Sequence, residues 1–235
     1  MNGVEAGLCD SCAMRPACYM RGTHRAVRTL VERLRTLARG EALFEAGSPA
    51  LSVFAVRSGT LKVSMSRVGC TPRIVRFVLP GDLAGLDAFG DRIHSTTAVA
   101  LEECEVCEIP AWHLELLCQM RPALAAHLRR LLAHEVGDAY LHAAALAGLS
   151  ASQRVAGFLL GLGQRWTARG GSASRFPLPF ERREIGDHLG LTMETVSRVL
   201  SLLRARAWIV EGPAGVELCA IDALRGLASG EAKLA

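Results

Sequence analysis

Lysine is almost missing from this chain of 235 residues: Lys62 and Lys233 are the only two among its 27 basic side chains. Arginine therefore carries nearly all the positive charge behind a mild formal net of +4. Its planar fork suits phosphate and guanine contacts better than an ammonium does, although a GC-rich genome also favours arginine codons. Apolar runs of about eighteen residues are missing too, as is a charged-then-apolar leader. A soluble, unexported, cytoplasmic protein with no membrane partner is expected. No internal repeat stands out, and no Ser/His/Asp or paired-carboxylate constellation argues for catalysis, so an enzyme is not expected. What is plentiful is apolar side chain, 50% of the residues, which is enough to bury a core. The length allows one large domain or two modest ones.

The most informative stretch is Glu184–Arg206. It predicts two short helices joined by a tight turn at Gly190, where glycine removes a clash. Thr192 suits an N-cap, and Glu194 in the next turn suits the positive end of the helix dipole. In the second helix Val196, Val199, Leu200 and Leu203 fall at i, i+3, i+4 and i+7 and form a core stripe. Glu194, Ser197, Arg198 and Ser201 repeat that spacing on the opposite side, with Thr195 beside them. That face offers an acceptor, hydroxyls and a forked donor near a helix N-terminus, where a recognition helix meets base edges in the major groove. An ordinary amphipathic hairpin is the competing reading. The segment Phe180–Ala235 holds 7 basic and 8 acidic residues and is not itself basic. Arg154, Arg165, Arg169 and Arg175 precede it with no acid among Ser150–Pro179, so much of any phosphate contact is expected there.

Four regions follow in chain order. Residues 1–24 carry cysteines and little periodic pattern. Residues 25–121 open with a predicted basic helix, Arg25–Leu37, with Val27, Leu30, Val31 and Leu34 on one face. The period then becomes two: Leu61, Val63 and Met65 alternate with polar neighbours, and Ile74–Val78 and Thr96–Ala100 are further runs between glycine turns. Such short strands predict an antiparallel β-roll or barrel, followed by a helix over Ala111–Met120. Residues 122–148 begin with Pro122 at a first helical position. A long helix follows to about Leu146, its wide apolar face including Leu124, Leu128, Leu131, Val136 and Ala139. Part of that face is expected on the roll and part on a second copy, giving a homodimer. Residues 149–235 hold a helix at Ser152–Arg169, the reading stretch, and two short strands around Gly212–Pro213 that form a wing. The expected class is α+β.

Eight cysteines are many for a reducing compartment, and Cys9, Cys12 and Cys18 crowd together. Clustered thiols there suggest metal or cluster ligation rather than disulfides. Zinc held by four cysteines usually comes from two close pairs, whereas one pair is present here. A metal-free thiol switch stays open beside it. Cys70, Cys118 and Cys219 read as inert buried thiols. His24, His94 and His113 read as surface or capping histidines.

A β-roll, a long helix and a winged helix-turn-helix together resemble the CRP/FNR family of bacterial transcription regulators over nearly the whole chain. The marks are Gly40–Gly47 (GEALFEAG), Val56–Val63 (VRSGTLKV), Leu79–Gly90 (LPGDLAGLDAFG) and the reading stretch. Met193–Arg198, METVSR, is similar to the FNR branch, whose site is TTGAT-N4-ATCAA. The resemblance implies that Arg198 reads guanine, Glu194 the opposing cytosine amine and Ser197 the outer thymine. It also implies an oxygen-sensing [4Fe–4S] cluster held by Cys9, Cys12, Cys18 and a cysteine of Cys104–Pro110, whose four thiolates match the ligand set. Cys107, directly before Glu108-Ile109-Pro110, stands where the family ligand lies; Cys104 is three residues away and faces the other side of a regular strand. An iron–sulfur enzyme is a poorer match, because the Cys-x3-Cys-x2-Cys of radical enzymes is absent. A cyclic nucleotide is not expected, since His94–Val99 lacks the arginine that would pair with its phosphate. Leu79–Gly90 resembles a surface that contacts RNA polymerase in relatives. Glu181 stands where they often carry a Thr cap. FNR relatives can carry Asp at the place of Ala139, which implies a dimer that persists in part in air.

Overall fold

The computed structural model describes residue 31, residues 33–66, residue 69 and residues 71–234. Cys9, Cys12, Cys18, Cys70 and the first part of the expected basic helix lie outside these described residues. The described chain divides into two compact units between Glu135 and Val136. The division falls inside the long helix that the sequence sets apart as a region of its own.

The first unit is the expected β-roll. One antiparallel sheet runs in the order β1 (Arg33–Leu37), β8 (Cys104–Pro110), β3 (Ser52–Ser58), β6 (Leu83–Ala84). The other runs β2 (Ala42–Phe44), β7 (Thr97–Ala100), β4 (Leu61–Met65), β5 (Arg73–Val78). Between them lies a core that includes Phe44, Phe54, Val56, Leu61, Val78, Cys104 and Val106. The opposite face of the first sheet is buried as well. Val53, Ala55 and Ile109 pack there with Leu114 of α1 (Ala111–Met120) and with Leu124, Leu128 and Leu131 of α2 (Pro122–Gly148). Burial on both faces explains why β3 is an unbroken apolar run rather than an alternating one.

Three expectations need correction. Arg33–Leu37 is a strand, not the end of a basic helix, because its five residues pair in register with Glu108 to Cys104. Leu124, Leu128 and Leu131 are not a free dimer face: they are covered by their own roll, at 1%, 6% and 8% exposure. Val136 and Ala139 remain exposed. His94 is buried rather than a surface group; it stacks on Phe44 at 3.8 Å and places Nδ1 2.9 Å from Asp87. Within Leu79–Gly90, Leu79, Gly81, Asp82, Leu83, Ala84, Gly85 and Ala88 are buried, and Asp87 also accepts from the Ser95 N–H.

In the second unit, α3 (Ala151–Thr167) is capped by Ser150, with Gln153 completing a capping box. It supports α4 (Arg182–Leu189), α5 (Met193–Ala205) and α6 (Ile221–Ser229). A three-stranded wing, β10 (Ile209–Gly212), β11 (Gly215–Leu218) and β9 (Arg175–Phe176), completes it.

Candidate nucleic-acid interface and thiol site

The helix pair is set by local chemistry. The Glu184 carboxylate accepts from the Glu181 N–H at 3.0 Å, so α4 begins in an ordered way although Glu replaces the expected Thr. Gly190 ends the helix at φ +63, in the left-handed region. Gly186, which the sequence alone did not mark out, lets the next turn close. A Cβ there would stand 2.7 Å from the Leu191 carbonyl oxygen, a backbone atom that cannot rotate away. A glycine inside a helical pattern is the signal that could have found it.

Thr192 caps α5 by accepting from the Thr195 N–H at 3.2 Å. Val196, Val199, Leu200 and Leu203 are buried as one stripe. The other side gathers Glu194, Ser197, Arg198 and Ser201, with Glu194, Arg198 and Ser201 exposed. Glu194's own backbone N–H and the Thr192 hydroxyl hold its carboxyl below the usual range, so it presents a charged acceptor. Among the described residues no hydrogen bond or ion pair holds the Arg198 guanidinium. Thr195 is tied into the cap by its hydroxyl, 3.1 Å from that of Thr192. Ser201 accepts from Arg204 Nη2 at 2.8 Å.

The basic residues ahead of this pair are largely committed to the protein itself. Arg154 donates to the Leu149 and Leu189 carbonyls at 2.8 and 2.9 Å, joining α3 to the end of α4. Arg175 pairs with Glu217 at 2.5 Å across the wing, and Arg169 donates to the Arg165 carbonyl. Arg154 therefore braces this unit. Beside the first turn of α5 opens a cleft of about 420 Å³, bordered by Arg182, Arg183, Met193 and Glu211.

In the first unit the two cysteines of β8 part company. Cys104 is 0% exposed and its Sγ lies 3.4 Å from the Thr60 and Glu102 carbonyls. Burial, with the Glu102 charge adding to it, pushes its thiol up and disfavours the thiolate a metal needs. Cys107 is half-buried on the other face, beside Leu34 and Ala55 in the register and near the cluster that holds Val31. None of Cys104, Cys107, Cys118 and Cys219 is in a disulfide. Cys118 also has its thiol pushed up, chiefly by burial and then by Glu115, whereas Cys219 is exposed rather than buried.

The comparisons with known proteins match both the roll and the helix pair to known families. Residues 34–121 match the cyclic nucleotide-binding domain family, and residues 153–227 match the Crp-like helix-turn-helix domain. The transcriptional activator protein FnrA of Stutzerimonas stutzeri is 38% identical over 223 residues, covering 91% of each chain. The chain belongs to the CRP/FNR family, on its FNR branch. The anaerobic regulatory protein of Pasteurella multocida is 40% identical over 74% of this chain and 64% of its own. The FixK2 structure from Bradyrhizobium japonicum matches with a TM-score of 0.76 and 30% identity, over 83% of this chain and 96% of that one. Like these CRP/FNR relatives, the chain is a DNA-binding transcription regulator and not an enzyme. Among the described residues no helix is long and apolar enough to cross a membrane.

Proposed function

We propose that this chain is a cytoplasmic, oxygen-responsive transcription activator of the FNR type. It holds a [4Fe–4S] cluster on Cys9, Cys12, Cys18 and Cys107 and binds TTGAT-N4-ATCAA-like sites as a homodimer when oxygen is absent. The observation that carries the reading is the contrast on β8, where Cys104 is sealed in the core while Cys107 lies half-buried on the opposite face. Thirteen positions separate Cys18 from Val31, which is buried in the cluster that Cys107 borders. A chain of that length reaches up to about 40 Å, ample to bring three more thiols to Cys107. Four thiolates are the ligand set of such a cluster, which when bound supplies the oxygen-labile centre.

At the DNA, Arg198 forks onto guanine O6 and N7, Glu194 accepts from the cytosine amine and Ser197 meets the outer thymine. Thr195 and Ser201 flank them. Two half-sites need two such helices. Val136, Ala139, Ala143 and Leu146 are exposed along α2 at alternating spacings of three and four, the pattern of a two-helix seam. No cyclic nucleotide is part of this reading, since His94–Val99 lacks an arginine to pair with its phosphate. RNA polymerase is the partner that an activator must engage.

The test is the iron and acid-labile sulfide content of anaerobically prepared protein, with its visible absorption followed on exposure to air. Iron and sulfide in equal amounts, with colour that bleaches, is the expected result. A colourless protein carrying zinc, or no metal, would replace the cluster by a zinc or thiol sensor on the same fold.

A further inference from the structure

The cleft beside α5 is bordered on its wing side by one carboxylate that holds two arginines from different elements. Glu211 on β10 pairs with Arg182, the first residue of α4. Its other oxygen lies 3.4 Å from Arg204 Nε in the last turn of α5. That second contact is an ion pair without a hydrogen bond, so the oxygen has no hydrogen-bond donor among the described residues. Arg204 in turn donates to Ser201 on the reading face. The Glu211 side chain is 15% exposed, against 32% for Arg182 and 51% for Arg204. A largely buried carboxylate thus faces two more accessible guanidinium groups.

We propose that Glu211 is a specificity-determining residue: it occupies Arg182 and Arg204 as an internal stand-in for phosphate and so suppresses sequence-independent binding to DNA. The inference rests on α5 being the recognition helix. Sequence-independent affinity comes from Lys and Arg that neutralise phosphates and release counterions. The reading segment has 7 basic and 8 acidic residues, so two guanidinium groups are a large share of what it could offer. Pairing both with Glu211 withholds them from phosphates in any register, while Arg198 stays available for a base edge. The same pairs fix Arg204 against Ser201, so freeing Arg204 loosens one edge of the reading face. The freed arginines add phosphate contacts in every register, whereas the loosened edge weakens only the register that Arg198 selects, so preference falls.

The experiment compares wild-type protein and Glu211→Gln, both full-length and prepared anaerobically. They are titrated onto a duplex carrying TTGAT-N4-ATCAA and onto a scrambled duplex of equal length, across a range of KCl. Glu211→Gln is nearly isosteric; it removes the charge and keeps one acceptor oxygen. On the scrambled duplex the salt slope should steepen by about one unit per freed arginine, which is roughly threefold more affinity lost over a fourfold rise in salt. Preference for the site should fall at the same time. Adding Arg182→Gln and Arg204→Gln to this variant should return the slope to the wild-type value. In the wild-type background those two changes should leave the scrambled-duplex slope unmoved, a result that can be read even if Glu211→Gln folds poorly. An unchanged slope in Glu211→Gln, an equal gain on both duplexes, or lost slope when the arginines alone are replaced would each overturn the proposal. Arg198→Ala in the same titrations judges the recognition-helix assignment separately. An unchanged preference there faults that assignment, while the scrambled-duplex slopes still decide the role of Glu211.

Discussion

Arg198 and Cys107 are the two side chains whose surroundings say most about their use. Arg198 is exposed on a stripe whose opposite side is fully buried, so its fork can turn toward a base without first breaking an internal bond. Replacing it by Ala should cost about 1–3 kcal/mol at a TTGAT half-site and relax the preference at guanine. Competition between that duplex and a guanine-substituted one measures this, and an unchanged ratio removes Arg198 from base reading. For the thiols, burial decides. Cys107→Ser should abolish the iron–sulfur absorption of anaerobic protein, because a hydroxyl is a poor substitute for thiolate. Cys104→Ser should keep it and instead lower the melting temperature, since a hydroxyl replaces a thiol that is 0% exposed in an apolar core. Loss of colour with Cys104→Ser and not with Cys107→Ser would reverse the ligand assignment.

At the scale of elements, the helix-turn-helix rests on a close backbone approach that a single methyl group would disturb. Gly186→Ala gains about 1 kcal/mol of helix propensity. It also drives a Cβ to 2.7 Å from a backbone oxygen, and overpacking of that kind costs about 1–3 kcal/mol or more. The clash should win, with a lower melting temperature and weaker binding to every duplex; thermal unfolding of the variant checks it, and a raised melting temperature would contradict the packing argument. The same elements show what a sequence can disclose. The core stripe of α5, its Thr192 cap and the Gly190 turn were readable because each depends on neighbours within a few positions. β1 was not, because it is held by partners 75 positions away, as in the Arg33–Glu108 pair, and its arginines suit an exposed helix equally well. The bond of Arg154 to Leu189 and the pairing of Glu211 with Arg182 were not readable for the same reason: the partners lie 35 and 29 positions off, and only the folded chain brings them together. The burial of Leu124, Leu128 and Leu131 was half legible, since periodicity marks an apolar face without naming what covers it.

For the whole molecule, the proposed function asks that a thiol site in the first unit govern a reading helix in the second. The long helix α2 belongs to both. Its first part is fixed to the roll by three buried leucines and by Glu135, whose carboxylate lies 2.5 Å from Arg76 Nη2. Glu135 is thus paired within its own chain. Asp138 is exposed beside the proposed seam. That seam, Val136, Ala139, Ala143 and Leu146, contains two alanines, and burial yields only about 0.8 kcal/mol per CH2. Gly137 lowers helix stability there by roughly 1 kcal/mol relative to Ala. A seam this thin should give a marginal dimer that needs help from the cluster-bound first unit. Sedimentation at micromolar concentration should therefore find a dimer without oxygen and a shift toward monomer after air exposure, with a parallel loss of specific DNA binding. Ala139→Asp would place like charges across the seam and should make the shift to monomer in air more complete. An unchanged dimer with unchanged DNA affinity after full cluster loss would sink the coupling, while leaving the helix pair and its base contacts untouched.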